Sequence, residues 1–237
     1  MKILAFDSTA KIASVAVSDN ETVLGSYSID NGLTQSELLL PMAEDLLKSL
    51  KLSFSDIELL ACSVGPGSFT GVRIGVSLVK GIAFGKNIPC AEISTLEALA
   101  ENLSGLYGII LPCMDARRGQ FYTAIFEADE NGIKRISDDE ALSAKELAQK
   151  LEVYPDKPIY VVGDGYKIAH KLLSEQGVKL LATPEALRAQ DAASIAKLAA
   201  RKYAAGEAVS DKEISPTYLR VPQAERERLE RLSKEQK

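Results

Sequence analysis

From Gly65 to Gly85 the chain reads GPGSFTGVRIGVSLVKGIAFG, and as a helix this segment carries too much apolar surface for a simple surface position. Successive helical residues turn by about 100°. Thr70, Arg73, Ser77 and Lys80 then share one narrow polar stripe, and the remaining circumference divides into two apolar faces. Phe69, Val72, Val76, Val79 and Ala83 form one; Gly71, Ile74, Gly75, Leu78 and Ile82 form the other. One face suffices to dock a helix on its sheet. The second needs cover too, because leaving Ile74, Leu78 and Ile82 in water forgoes about 1.5–3 kcal/mol per side chain. Gly71, Gly75 and Gly81 each cost about 1 kcal/mol relative to alanine inside a helix. Gly71 and Gly75 lie one turn apart, where another backbone can come close. Either the chain's own interior or a second molecule covers this face. The favoured reading is a second molecule docking on the helix from Phe69 to Phe84.

The flanking sequence reads as an α/β framework. Ile57 to Val64 (IELLACSV) is a continuous apolar run, as expected of a strand covered on both faces, and Gly65-Pro66-Gly67 ends it. The opening is a strand from Lys2 to Phe6, a polar turn from Asp7 to Lys11, then β-rich runs Ile12 to Val17 and Thr22 to Ile29. Together these make a three-stranded meander. A helix from about Thr34 to Leu50 follows, with Leu38, Met42, Leu46 and Leu47 at helical spacing. Next come a strand from Ile88 to Ile93 and a helix from near Ser94.

After Gly105 the pattern begins again: a strand (Tyr107 to Met114), a turn bearing Asp115, and an alternating strand (Gln120 to Phe126). This echo of Asp7 and its neighbouring strands suggests an internal duplication, although any mixed α/β protein contains several strand–turn–strand units. A helix from Ala144 to Leu151, a strand from Ile159 to Val162, the turn Gly163-Asp164-Gly165, a helix to about Gln176 and a last helix from Ala192 to Ala204 complete the reading. The expected division is a first lobe at 1–104, a second at 105–206 and a polar tail at 207–237. Glu227/Arg231 and Glu230/Lys234 sit at the helical offset in that tail, which is expected to fray.

Bulk properties narrow the function. A net charge of −5 and a pI near 5.2 leave no overall positive field to hold phosphate backbones, so a nucleic-acid role should run through a partner. The apolar run after Lys2 stops at Asp7, short of the ~7–15 residues of a signal-peptide core, and no stretch reaches the ~18 apolar residues of a membrane span. Cys62, Cys90 and Cys113 are odd in number and widely spaced, as buried thiols of a reducing cytosol would be. A cytoplasmic protein without membrane contact is expected.

The opening KILAFDSTAKIASVAV, the block SVGPGSFTGVRIGVSLVKGIAFG, and the segments IPCAEISTLEALA, MDARRGQFYTAIF and ISPTYLRVPQAE together resemble the TsaB (YeaZ-like) family of the bacterial machinery that makes threonylcarbamoyladenosine on tRNA. The resemblance implies two actin-like, RNase H-like lobes of the ASKHA group, each a mixed sheet flanked by helices. It implies a non-catalytic scaffold that binds TsaD, works with the ATPase TsaE, pairs with itself as a homodimer, and meets tRNA only through the complex. Phe69, Gly71, Arg73, Ile74, Gly75, Leu78 and Ile82 are the implied partner face.

TsaD itself carries a metal-binding H-x-x-x-H pair just after the strand that corresponds to Ile88–Ile93. Those positions here are Thr95 and Leu99, which cannot replace imidazoles. His170, the one histidine, reads as a surface or packing residue. No catalytic and no metal site is expected. In the ASKHA group an acidic residue after the first strand faces nucleotide phosphates, here Asp7 with Ser8 and Thr9, and a glycine turn approaches the adenosine, here Gly163 and Gly165. Those residues equally make plain turns, with Asp164 as a helix cap. No resident cofactor is expected, and ATP or ADP at the partner interface stays open. The competing readings are an ASKHA-fold small-molecule kinase or ATPase and, third, an M22-like metallopeptidase.

Overall fold

The computed structural model describes residues 1–220, so the charged stretch Glu225 to Lys237 lies outside the described residues. β1 (Lys2–Asp7), β2 (Ala13–Asp19) and β3 (Thr22–Ile29) form the antiparallel meander, and α1 (Gln35–Ser49) crosses over. β4 (Leu59–Gly65) and β5 (Cys90–Ser94) then add in parallel, giving the order β3-β2-β1-β4-β5. α2 (Phe69–Ala83) links β4 to β5, and α3 (Thr95–Glu101) follows. Local chemistry sets the helix starts. The Ser68 hydroxyl accepts the Gly71 N–H at 3.2 Å and the Ser94 hydroxyl accepts the Glu97 N–H at 3.3 Å, each satisfying a backbone donor that the first turn leaves open.

The second sheet repeats this plan. β6 (Gly108–Asp115) pairs antiparallel with β7 (Gln120–Thr123) and β8 (Phe126–Asp129), which are flanked by β10 (Glu140–Ser143) and β9 (Gly132–Arg135). α4 (Ala144–Leu151) crosses to β11 (Ile159–Val162), parallel to β6, and α5 (Tyr166–Glu175) follows. Taking β7 with β8, and β9 with β10, as interrupted strands, both sheets run meander, helix, parallel strand, helix. The duplication and the two-lobed α/β architecture are therefore present. The expected single strand from Gln120 to Phe126 is corrected to two. The Ser137 hydroxyl accepts the Ile125 N–H at 2.9 Å, taking that donor out of the ladder while the side-chain alternation runs on.

The last helix and the start of the tail pack differently from the expected division. α6 (Ala192–Ala204) lies on the first sheet, where Ile195, Ala196 and Ala199 meet Ile3, Ala5, Ala61 and Ile93. α3 lies on the second sheet, with Leu96, Leu99 and Leu103 against Ile110, Met114 and Phe126. α6 thus crosses to the first lobe, while α3 lies between the sheets, with Ala98 in the first-lobe core, and the two helices pack on each other, so boundaries at 104/105 and 206/207 cut across the layers. Small residues face α6 from the sheet and from α6 itself, which lets the layers approach closely. Between the helices, the Arg201 guanidinium donates to both oxygens of buried Glu101 at 2.9 and 3.0 Å. The opposite faces of the sheets bear α1 and α2 on the first and α4 and α5 on the second. Residues 207–214, expected to be loose, return to the first lobe: Val209 bridges Cys90, and Ile214 is fully buried.

Candidate functional site

Two recesses meet at the first turn of α2. Between the lobes lies a cleft of about 610 Å³, bordered by Thr9 and Lys11, the loop from Pro66 to Thr70, Asp115 and Arg117, Asp164, and residues 217–220. Outside it, α1 and α2 enclose an open groove of about 520 Å³ lined by Gln35, Leu39, Leu40, Phe69, Arg73, Ile74 and Leu78. Phe69 and Thr70 border both.

The residues expected at a nucleotide are mostly engaged within their own lobes. Asp7 is fully buried and does not line the cleft. One carboxylate oxygen accepts the Thr9 N–H at 2.8 Å and the Thr9 hydroxyl at 2.7 Å, and the other accepts the Ser63 hydroxyl at 2.7 Å. Burial pushes its pKa above the usual carboxylate range, and Asp191 adds repulsion, against the pull of those three donors. The Ser8 hydroxyl donates to the Gly71 carbonyl at 2.7 Å, and Thr9, although buried, borders the cleft. Gly163 (φ +109°) and Gly165 hold the strand-to-helix turn against β6, where an added Cβ would stand 2.5 and 2.7 Å from the Cys113 carbonyl oxygen. Both glycines are thus required sterically by this fold. Asp164 opens to the cleft; the cap position of α5 is Gly165, with no side-chain cap. Its carboxyl pKa is raised by desolvation and by the neighbouring Asp115 charge, with backbone N–H groups pulling the other way.

The expected partner face divides in two. Val72, Val76, Val79 and Ala83 are buried on the sheet, as the wheel requires. Gly71 and Gly75, assigned to the outer face, are buried against the chain's own β1–β2 turn. A Cβ on Gly71 would lie 1.9 Å from the Ser8 carbonyl oxygen, and one on Gly75 would lie 2.6 Å from the Ser8 hydroxyl. The group that approaches closely is the chain's own Ser8, by its backbone at Gly71 and by its side chain at Gly75, which corrects the reading of these two as partner contacts. Ile74, Leu78 and Ile82 are only partly buried. Gly81 is exposed, with nothing within 4 Å of an added Cβ. Phe69 and Arg73 pack within the chain: the Arg73 guanidinium lies 3.7 Å from the Phe69 ring centroid, and its Nε donates to the Tyr218 hydroxyl at 2.8 Å.

Thr95 and Leu99 are core residues at 0% and 1% exposure. His170 sits on α5 beside Tyr166, with ring centroids 5.5 Å apart. Among the described residues no three His, Cys, Asp or Glu side chains converge as metal ligands, and no helix is long and apolar enough to cross a membrane. The three cysteines are free and buried.

TsaB of Escherichia coli K12, a tRNA threonylcarbamoyladenosine biosynthesis protein, is 33% identical over 222 residues, covering 93% of this chain and 95% of that protein. The chain belongs to the TsaB family. TsaB of Bacillus subtilis 168 is 30% identical over 95% of this chain and 96% of its own length. The family model of TsaD, tRNA N6-adenosine threonylcarbamoyltransferase, matches residues 34–228. Among solved structures, a Pseudomonas aeruginosa protein described as similar to peptidase YeaZ superposes with a TM-score of 0.77 at 25% identity, over 92% of this chain and 99% of that one. In this TsaB-family chain, sequence reasoning singled out neither Leu39 and Leu40, which line the groove from α1, nor Tyr218, which stacks on Phe69. Gly81 had a signal: on the helical wheel it falls beside Ile74.

Proposed function

We propose that this chain is a non-catalytic docking subunit in the biosynthesis of threonylcarbamoyladenosine on tRNA. It presents the outer face of α2 and the α1–α2 groove to TsaD, pairs with itself through the same face when TsaD is absent, and supports TsaD together with TsaE. tRNA is reached only through that assembly. The observation that carries the reading is the open outer half of α2, where Ile74, Leu78 and Ile82 stay partly exposed beside Gly81 and the groove. Completing the burial of three such side chains supplies roughly 1 kcal/mol each, and an unobstructed glycine lets a partner helix approach its backbone. The non-catalytic role is supported by Thr95 and Leu99, core residues that stand where TsaD carries its histidine pair. The inward-turned Asp7 carboxylate favours a scaffold over a kinase or ATPase. ATP or ADP, where one binds, belongs to the junction of cleft and groove that Phe69 and Thr70 share.

The deciding experiment mixes purified chain with TsaD at micromolar concentration and measures mass in solution. A stoichiometric complex is expected. Leu78→Asp should weaken it at least ~10-fold, equivalent to ~1.4 kcal/mol, while the monomer keeps its circular dichroism. Retained binding by that variant would remove α2 as the docking face. Loss of threonylcarbamoyladenosine from tRNA on depletion of the chain, restored by wild type and not by Leu78→Asp, tests the pathway role.

A further inference from the structure

Residues 214–220, ISPTYLR, run from the core of the first lobe to the surface of the second. Ile214 is fully buried beside α1 and α2. The Ser215 N–H donates to the Glu92 carboxylate at 2.7 Å, and the Thr217 N–H donates to the Val64 carbonyl, also at 2.7 Å. The Thr217 carbonyl oxygen stands 2.4 Å from where a Cβ on Gly65 would be, so the segment needs glycine at that point of the β4–α2 loop. Tyr218 then lies over the first turn of α2, 4.9 Å from Phe69 between ring centroids, and takes the Arg73 Nε–H on its hydroxyl. Arg220 reaches the β6–β7 hairpin of the second lobe, donating to the Ala116 carbonyl at 3.2 Å and to the Gln120 side-chain oxygen.

We propose that residues 214–220 form a strap that couples closure of the two lobes to the docking face of α2, with Tyr218 as the positioning residue for Phe69 and Arg73. The anchor at Ile214 is fully buried in the core, whereas the Arg220 end is held by two part-buried hydrogen bonds. Moving the β6–β7 hairpin away from the first lobe must either break those bonds or draw on the strap. The nearest side chain to respond is Tyr218, and through it Phe69, which borders both recesses, and Arg73, which lines the groove. A partner that fixes Phe69 and Arg73 in this arrangement then favours the closed lobes, and closed lobes favour the partner by the same factor. The docking half of this coupling rests on the function proposed above; the lobe-closure half does not.

The test uses the full chain with spin labels at Glu44→Cys on α1 and Lys145→Cys on α4, both exposed positions in different lobes, the native thiols being buried. The distance distribution should be narrow in the otherwise wild-type chain and gain a second population with Tyr218→Ala or Arg220→Ala. Tyr218→Phe keeps the ring stack and should stay close to wild type. Binding to TsaD should weaken about 5-fold or more with Arg220→Ala, although Arg220 bonds to the second lobe, away from the groove. An unchanged distance distribution and unchanged binding in Arg220→Ala would overturn the strap. Should the wild-type chain bind no TsaD, the docking reading fails, and the distance distribution alone decides the strap.

Discussion

Gly81 and Gly71 stand ten residues apart in one helix, and alanine at each should move stability in opposite directions. At Gly81 the position is exposed and an added Cβ meets nothing within 4 Å. The change then recovers helix propensity, worth up to about 1 kcal/mol, trimmed by fraying because Gly81 lies in the last turn. For a chain of this length that is a rise in thermal midpoint of about 2–4 °C. At Gly71 the methyl would enter the Ser8 carbonyl at 1.9 Å and disturb the Ser8 hydroxyl bond to the Gly71 carbonyl. The Ser8 carbonyl is backbone and cannot rotate away, so overpacking of about 3 kcal/mol or more is expected, a fall of about 6–12 °C. Scanning calorimetry at several protein concentrations makes the comparison, extrapolated to the monomer because association raises the midpoint by mass action. The same Gly81→Ala variant should bind TsaD more weakly, since its methyl projects from the docking face. A stabilised monomer with weakened docking separates folding from function at one residue. A Gly81→Ala chain that melts lower, or a Gly71→Ala chain that melts like wild type, would refute the division of α2 into a self-covered end and an open end.

Other outcomes follow from the buried groups. Because the folded Asp7 carboxyl has a raised pKa, the folded state binds more protons than the unfolded one above pH 3.8. Wild type therefore loses stability as pH rises through that window, and Asp7→Asn, which keeps the Thr9 bonds, should flatten the trend in denaturation series taken between pH 4 and 7. Glu101→Ala should cost about 1–3 kcal/mol by urea unfolding, clearly more than Glu21→Ala, although both carboxylates hold Arg201; Glu21 is half exposed and Glu101 is buried. Burial pushes the Cys90 thiol up to about 11, Cys113 to about 12 and Cys62 further still, so a thiol reagent at pH 8 should count three free cysteines only after unfolding.

The first lobe was the more legible because its signals are local. β4 is buried along its whole length and reads as an unbroken apolar run. α2 begins after Ser68 and α6 spans Ala192–Ala204, as their caps and periodicity indicate. β9 and β10 were not legible: GIKR and EALS are short, polar and only half covered, so neither alternation nor propensity marks them. The break between β7 and β8 depends on the hydroxyl of Ser137, twelve residues from the N–H it accepts. The wheel placed Val72, Val76, Val79 and Ala83 on the sheet, but it also put Phe69 there, which instead borders the two recesses, and it could not say what lies over Gly71 and Gly75. Ser8 covers the Gly71 end through a turn more than sixty residues away. The crossing of α6 to the first lobe, and the place of α3 between the sheets, are likewise invisible to periodicity, since an alanine-rich helix suits either sheet.

The duplicated fold supplies its own control for the docking reading. α2 and α5 occupy equivalent places, each following the strand parallel to its lobe's first strand, and each is preceded by a glycine with φ above +100° against a neighbouring backbone. If the outer apolar face of α2 were demanded by the architecture, α5 would need one as well. Along α5 the fully buried residues are Ala169 and Leu173, Lys167, Lys171, Ser174 and Glu175 are exposed, and the apolar residues left outside the buried face are Ile168, 47% exposed, and partly buried Leu172. α2 keeps its sheet-facing stripe and adds Ile74, Leu78 and Ile82 around the other side, only partly covered. Both lobes thus carry some outer apolar surface on this helix, and what is particular to α2 is the longer stripe of three beside exposed Gly81. The docking proposed above would cover that longer stripe, and making it polar with Ile74→Lys and Leu78→Ser should leave a folded chain that no longer docks.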